Sequence, residues 1–164
     1  MFQSARLLLA LGILTGSLFA AGESALPATY KSASELMAAL TKSLETNSDQ
    51  ATAPVSNQSH YRVNIVRRGK PGPAMAHATG PAKGTEVHYI IDGAATVVTG
   101  GALVRAAGAP ATKGAANMTI EGGESRHVTK GDVIVIPAGT PHWYKNVEGS
   151  VTYLEVRFDV DLSQ

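Results

Sequence analysis

The fold of this chain is decided by one stretch, Gly131-Asp-Val-Ile-Val-Ile-Pro137-Ala-Gly139-Thr-Pro-His142-Trp-Tyr-Lys-Asn146. The four residues before Pro137 are β-branched and apolar, which predicts a buried strand. Pro137 ends this strand because it has no N–H to donate, and Gly139 permits a tight turn. A second proline stiffens the backbone just before His142, so the next strand begins with an imidazole at a fixed position. A metal ligand has to be held in place in this way.

The same stretch resembles the second cupin motif, G-x5-P-x-G-x2-H-x3-N, whose fixed positions are occupied by Gly131, Pro137, Gly139, His142 and Asn146. The resemblance covers roughly residues 60 to 158 and is nearest to small single-domain cupins. It implies an all-β fold, a double-stranded β-helix or jelly-roll barrel.

The remaining sequence supports a β fold, because short strand patterns alternate with turns as in a two-sheet jelly roll or small barrel. Asp92-Gly93 is a strong two-residue turn signal and predicts a hairpin between strands at 85–91 and 94–99. Other strands are predicted at 60–68, 74–77, 102–105, 118–121, 124–129 and 150–160. Residues 106–116 are small and are predicted to form a flexible connection.

The N-terminal residues read as a targeting segment. Residues 1–6 are short and positive, residues 7–21 are apolar, and Ala20-Ala21-Gly22 offers a small-x-small cleavage site. The apolar run is short for a membrane span. We therefore predict a signal peptide over residues 1–22, with an uncleaved anchor as the alternative. The mature protein would be periplasmic or secreted and free of the membrane.

Residues 23–59 are predicted to hold a leader, a short helix and a linker, ahead of a barrel domain at 60–164. Ser32-Ala-Ser-Glu35 resembles a capping box, and leucines follow at spacing four, so a helix is expected over 33–45. It would cover one end or face of the barrel. The polar, proline-containing segment 47–59 is the predicted linker.

Composition excludes several classes of function. The chain has no cysteine, so thiolate metal sites and cysteine nucleophiles are ruled out. Net charge is +1, and Arg6 is the only charged residue before Glu23, so the mature chain carries no net charge. Neither nucleic acid nor an anionic membrane is indicated as a partner. The expected partner is a small-molecule ligand or substrate.

The first cupin motif, G-x5-H-x-H-x3,4-E-x6-G, is present only in its second half, as Glu86 and Gly93. Its two histidines should fall at 79–82, where none occurs, and His77 is the remaining upstream candidate. Glu86 and His88 stand two apart on a predicted strand and share one face. In cupins the motif glutamate points into the barrel, which implies that His88 and Ile90 do so too.

The candidate metal set is therefore His77, Glu86, His88 and His142. Glu86 is also the expected catalytic residue, and either Glu86 or a spare histidine would move protons. Three imidazoles and one carboxylate suit Fe(II), Mn(II), Ni(II) or Zn(II). Ile90, Trp143 and Tyr144 are expected to line the pocket. The alternative is that a histidine and a glutamate simply satisfy each other as a buried polar pair.

Other polar residues are assigned to the surface. Tyr153, Glu155 and Arg157 alternate on the last strand and share a face, which we predict to point outward. Were that face inward, Arg157 would be suited to a substrate carboxylate. His127 and His60 are predicted to lie outside the site.

Two functions from different classes follow. The first is a metal-dependent enzyme acting on a small organic molecule by dioxygenase, isomerase or lyase-type chemistry, as the resemblance implies. The second is a non-catalytic ligand-binding protein whose metal is structural or absent, which the incomplete first motif favours. Small cupins often pair through sheet edges, so the resemblance also suggests a homodimer.

Overall fold

The structure is a computed structural model that describes residues 27–47, 49–69, 84–105, 107–108 and 118–159. These residues form one helix and eight strands. The elements are α1 (Ala33–Thr46), β1 (Gln50–Asn57), β2 (Tyr61–Gly69), β3 (Thr85–Thr99), β4 (Ala102–Arg105), β5 (Met118–Glu121), β6 (Glu124–Thr129), β7 (Val133–Ile136) and β8 (His142–Phe158). Six strands make one antiparallel sheet in the order β1-β2-β8-β3-β6, with β7 also paired to β3, while β4 and β5 pair separately. The all-β prediction with one short N-terminal helix is confirmed.

Strands β3 and β8 form the spine of the sheet. They pair antiparallel from Thr85 opposite Phe158 to Thr99 opposite His142, and β7 and β6 pair with the other edge of β3. The register between β3 and β8 shifts at three places, and such irregularities bend strands. Side chains from distant parts of the two strands consequently meet in one core, which includes Ile90.

The predicted hairpin at Asp92-Gly93 is wrong, because β3 runs through these residues without reversing. Gly93 does have a positive φ of 79°, and a Cβ at this position would collide with the carbonyl oxygen of Ser150 in β8. Gly93 is therefore needed at an irregularity in the pairing of β3 with β8, where the two backbones approach closely. A turn and such an irregularity demand the same residue, so the local sequence does not distinguish them.

The predicted strands around the decisive stretch are present with two changes. The strand that begins at His142 and the one predicted at 150–160 are parts of a single strand, β8. Strand β7 is not buried on both faces: Ile136 is buried, whereas Val133 and Val135 are each 60% exposed. Among the described strands β7 pairs only with β3, so its other edge is unpaired.

Helix α1 begins as predicted, with a complete capping box. The backbone N–H of Ser32 donates to Glu35 Oε2 at 2.8 Å, and the N–H of Glu35 donates to Ser32 Oγ at 3.3 Å. The leucine face of the helix packs on β1 and β2, forming a cluster separate from the main core, made of Leu36, Ala39, Leu40, Leu44, Ala51, Ala53 and Ile65.

The predicted linker at 47–59 is wrong over most of its length, because β1 occupies it. Ala51 and Ala53 are fully buried beneath α1, and their small side chains let the helix approach closely. Pro54 is tolerated because β1 is an edge strand whose register shifts between Pro54 and Ser56.

Several predictions lie outside the described residues, namely the signal peptide, the strand at 74–77 with His77, and most of the connection at 106–116. Within the described part of the chain, the structure has no helix long and apolar enough to cross a bilayer.

Candidate metal centre

Three of the predicted ligands meet in the interior: Glu86 and His88 from β3, and His142 from the start of β8. Their exposures are 1%, 0% and 3%. Glu86, His88 and Ile90 all turn inward because alternate residues of a strand share a face. The fourth predicted ligand, His77, lies outside the described residues.

His142 is positioned by the turn that precedes β8. The N–H of Thr140 donates to the carbonyl of Pro137 at 3.1 Å, which closes the turn. The carbonyl of Pro141 accepts from the N–H of Gly100 at 2.9 Å, which ties the turn to the end of β3. The imidazole is thus anchored from both sides before β8 begins.

The ligand atoms of the three residues converge. Glu86 Oε2 lies 3.1 Å from His88 Nε2 and 3.6 Å from His142 Nε2, and the three ligand atoms all lie within 4.8 Å of one another. Around an ion with bonds of ~2.1 Å, neighbouring ligand atoms stand ~3.0 Å apart in octahedral and ~3.4 Å apart in tetrahedral geometry. The cluster could therefore hold one metal ion after small adjustments. Two imidazoles and one carboxylate leave coordination positions open.

The electrostatics favour the protonation states that bind metal. Burial raises the pKa of Glu86, but the hydrogen bond with His88 and the proximity of His142 and Arg157 outweigh it and lower the pKa to about 2. Burial lowers the pKa of His142 to about 4, although Glu86 acts in the opposite direction. At neutral pH Glu86 is charged and His142 is neutral, as metal ligation requires.

A group of polar contacts holds the ligands in place. The Tyr144 hydroxyl lies 3.0 Å from His88 Nδ1, and an Arg157 Nη contacts Glu86 Oε1. The Tyr144 ring stacks on Tyr153 at 4.9 Å, and Tyr153 also packs on the His88 ring at 4.6 Å. Burial raises the pKa of both tyrosines, so both hydroxyls keep their protons. The orientation of His88 is therefore set before any ion binds.

His88 and His142 differ in how well the protein satisfies them. Both ring nitrogens of His88 have hydrogen-bond partners, namely Glu86 and Tyr144. His142 Nδ1 is buried and makes no hydrogen bond of regular geometry among the described residues, although the backbone of Thr140 is close enough to act on the pKa of the ring. Its Nε2 stands 3.6 Å from Glu86 Oε2, which is beyond hydrogen-bond distance, so this nitrogen is the one positioned to bind an ion.

The predicted pocket residues fall on two sides of β8. Ile90 and Tyr144 are buried in the core beside the three ligands. Trp143 lies between two inward residues and so points to the other face, where Lys145 Nζ stands 5.7 Å from its ring. His127 is exposed and lies 3.0 Å from Glu148 Oε1.

The predicted outward face of the last strand is wrong. Tyr153 is fully buried, Arg157 contacts Glu86, and Glu155 Oε2 lies 4.0 Å from His88 Nε2. Alternation established that the three share a face but not where that face points, which depends on pairing register. The sequence does contain a signal, because antiparallel pairing of the two strands places the cationic Arg157 opposite the anionic Glu86, and the polar Glu155 opposite the polar His88.

Comparisons with known proteins point to the same architecture. A family model for the cupin domain matches residues 111–157. No curated protein matches the chain by sequence. Hydroxypropylphosphonic acid epoxidase from S. wedmorenis in complex with fosfomycin aligns with 14% identity and a TM-score of 0.51, over 69% of this chain and 53% of that chain. Fe(II)-HppE with the alternative substrate (S)-1-HPP aligns with 14% identity and a TM-score of 0.50, over 67% and 50%.

An RmlC-like cupin family protein with a double-stranded β-helix fold from Methanocaldococcus jannaschii aligns with 12% identity and a TM-score of 0.46, over 68% of this chain and 81% of that chain. The chain spans about half the length of the first two structures. At these identities the first two likenesses concern the fold, and the predicted jelly-roll architecture agrees with them.

Proposed function

We propose that this chain, whose residues 111–157 match a family model for the cupin domain, is a metal-dependent enzyme acting on a small organic molecule. Glu86, His88 and His142 would hold one divalent transition metal ion. The observation that carries the proposal is the convergence of three buried ligand atoms within 4.8 Å of one another. Fe(II), Mn(II), Ni(II) and Zn(II) suit this ligand set.

A bound ion of this kind supplies Lewis acidity or a position for oxygen. The chain's own residues would hold the ion in place. The Tyr144 hydroxyl orients the ring of His88, and Arg157 donates to one oxygen of Glu86, which leaves the other oxygen for the ion. The buried apolar side chain of Ile90 would exclude water from the inner face. Dioxygenase, isomerase or lyase-type chemistry is compatible with such a centre. Similar solved structures contain Fe(II) and Co(II), which supports testing Fe(II) first.

The test is elemental analysis of the chain purified without a chelator or a histidine tag, before and after incubation with each ion. We expect about one equivalent of metal in the wild type. His142→Ala should lose it, whereas His127→Ala, which removes an exposed histidine, should keep it. A wild type that takes up no ion after reconstitution would rule out the metalloenzyme.

Activity requires a second experiment on the loaded protein. Oxygen uptake with a panel of small organic acids and phosphonates would be followed for the Fe(II) form, and isomerase or lyase screens for the others. Glu86→Gln keeps the shape of the side chain but weakens ligation and proton transfer, so any turnover should fall with it. Turnover unchanged in Glu86→Gln would remove that residue from the chemistry.

A non-catalytic ligand-binding protein is the second candidate, and one observation favours it. His88 already has partners at both nitrogens, so part of the cluster is satisfied without metal. Under this function, a metal-free chain would bind its ligand, and His142→Ala would bind the same ligand with unchanged affinity. Calorimetric titration of the two proteins distinguishes the candidates.

We also propose that the chain is exported, on the strength of its N-terminal sequence. Mass spectrometry of the protein recovered outside the cytoplasm should show a chain that begins near residue 23. Replacing two leucines of the apolar run by arginine should retain the protein in the cytoplasm. Recovery of the unprocessed chain in a membrane fraction would favour an anchor instead.

A further inference from the structure

We propose that Glu155 is a further ligand of the metal centre, which then consists of two imidazoles and two carboxylates. The inference rests on the proposed metal site and adds a residue that neither cupin motif contains. In the first motif of this chain the expected pair of histidines is missing from 79–82. A carboxylate from the opposite strand would supply a ligand that the motif does not.

The position of Glu155 follows from strand pairing. It stands directly opposite His88 in the pairing of β3 with β8, on the inward face. Its Oε2 lies 4.0 Å from His88 Nε2, while Glu86 Oε2 lies 3.1 Å from the same nitrogen. Two ligands of one ion, each ~2.1 Å from it, are at most ~4.2 Å apart. Glu155 Oε2 therefore suits the coordination position opposite His88 Nε2, and Glu86 Oε2 suits a position adjacent to it.

Some movement is required of Glu155. Its carboxylate is not among the three ligand groups that lie within 4.8 Å of one another. A rotation of the Glu155 side chain toward the ion completes the set, and the hydrogen bond that Asn64 Nδ2 donates to Oε1 has to adjust with it.

The two carboxylates are held in matching ways. Each has its Oε1 occupied by a donor: Arg157 contacts Glu86, and the Asn64 Nδ2 donates to Glu155 at 2.9 Å. In both residues Oε2 is left facing His88 Nε2. Donors that fix the non-coordinating oxygen are a regular feature of metal-binding carboxylates.

Charge gives an independent reason for an ion here. The Glu155 side chain is 16% exposed, and its hydrogen bond comes from a neutral amide. Among the described residues, no arginine or lysine nitrogen lies within 4.0 Å of its carboxylate, and Arg68 attracts it only from farther away. A largely buried carboxylate is stabilised by a compensating charge in contact with it, and Glu86 has such a contact in Arg157 whereas Glu155 does not. A divalent cation at His88 would supply that contact.

The test is a titration of metal-free protein with Co(II), which reports ligand number and type through its visible absorption. Affinity would be measured by competition with a chelator for the wild type, Glu155→Gln, Glu155→His and His142→Ala. Glu148→Gln, a change at an exposed glutamate, is the matched control. Thermal melting of each metal-free protein establishes folding.

We expect Glu155→Gln to weaken Co(II) binding about 100-fold and to change the absorption spectrum. The loss of affinity should be at least as large as that caused by removing a residue that only hydrogen-bonds to a ligand. Glu155→His retains a ligand and should recover most of the affinity with a different spectrum. Glu148→Gln should match the wild type. If Glu155→Gln does not fold, the inference is tested by Glu155→His alone, which should bind Co(II) with a spectrum different from that of the wild type.

Two other outcomes would overturn the inference in distinguishable ways. If Glu155→Gln and Glu155→His both keep the wild-type spectrum while His142→Ala loses binding, the metal site stands and Glu155 is only structural. If the wild type binds no Co(II), or His142→Ala binds it equally well, the proposed metal site itself fails.

Discussion

Two histidine–glutamate pairs in this protein have nearly the same geometry and different surroundings. In the inner pair, His88 Nε2 lies 3.1 Å from Glu86 Oε2, with side chains 0% and 1% exposed. In the outer pair, His127 Nε2 lies 3.0 Å from Glu148 Oε1, with side chains 55% and 64% exposed. The distance between partners therefore says little about function, and burial together with the neighbouring residues says much more.

The neighbours of the inner pair supply that difference. His142 brings a second imidazole to Glu86, Tyr144 orients His88, and Arg157 contacts the remaining oxygen of Glu86. An exposed pair contributes about 0–1 kcal/mol, whereas removing one partner of a buried pair costs about 3–5 kcal/mol. The difference between the two pairs can be tested by making the same substitution in each pair and measuring its effect.

The largest difference is expected from removing each glutamate. Glu86→Ala leaves Arg157 and His88 without their partner and should lower the free energy of unfolding by about 3–5 kcal/mol. Glu148→Ala should lower it by at most about 1 kcal/mol. Urea unfolding of the metal-free proteins measures both, and equal losses would refute the distinction between the pairs.

Lowering the pH should reduce the stability of the protein through the buried groups of the inner site. Burial lowers the pKa of His142 from 6.5 to about 4, so its share of the stability is complete above pH 6.5 and is lost as the pH falls to about 4. Although burial opposes it, His88, His142 and Arg157 lower the pKa of Glu86 from 4.5 to about 2, so its share is lost between those values. Because the two groups act on each other, they are counted together, and the stability lost over both windows is on the order of a few kcal/mol.

Unfolding measured across this pH range would check the two windows separately. His142→Gln should flatten the upper window, and Glu86→Gln the lower one. A wild-type profile that stays flat between pH 6.5 and 4 would contradict the assignment to His142.

Metal should stabilise the protein through the inner site alone. At an ion concentration of 100 times Kd, binding to the folded state adds roughly 2.7 kcal/mol. The melting temperature of the wild type and of His127→Ala should therefore rise with added ion, whereas that of His142→Ala should not. A rise in all three proteins would place the ion elsewhere.

The smallest expected effect separates two neighbouring tyrosines. The Tyr144 hydroxyl bonds to His88 Nδ1, whereas the Tyr153 hydroxyl accepts from Arg68 Nε at 2.9 Å, although both rings pack near His88. Tyr144→Phe should weaken metal binding about 10- to 100-fold, because it removes the partner that orients a ligand. Tyr153→Phe should leave the affinity close to wild type. Equal affinities in the two variants would show that packing, and not the hydrogen bond, positions His88.

The sequence predicts features well where they depend only on residues close together in the chain. The turn before His142, the cap at Ser32 and the shared inward face of Glu86 and His88 are all present. Each depends on contacts within a few residues or on the strand period of two.

Features that depend on distant partners were predicted wrongly. Gly93 faces Ser150, which only the pairing of β3 with β8 brings close. Ala51 is buried because a helix lies over it, and Glu155 points inward because of the register opposite His88. In these cases the local sequence is compatible with both orientations, and tertiary pairing selects one.

The pairing of β3 with β8 also determines when the centre can form during folding. His142 and Glu86 lie at opposite ends of that ladder, since His142 pairs with Thr99 and Glu86 with Arg157. Contacts between segments so far apart in sequence form slowly, because a long loop has to close before they are gained. The ligands should therefore assemble only after the ladder is complete. An ion would then be captured by an already folded chain, and metal uptake would serve as a late kinetic marker of correct strand register.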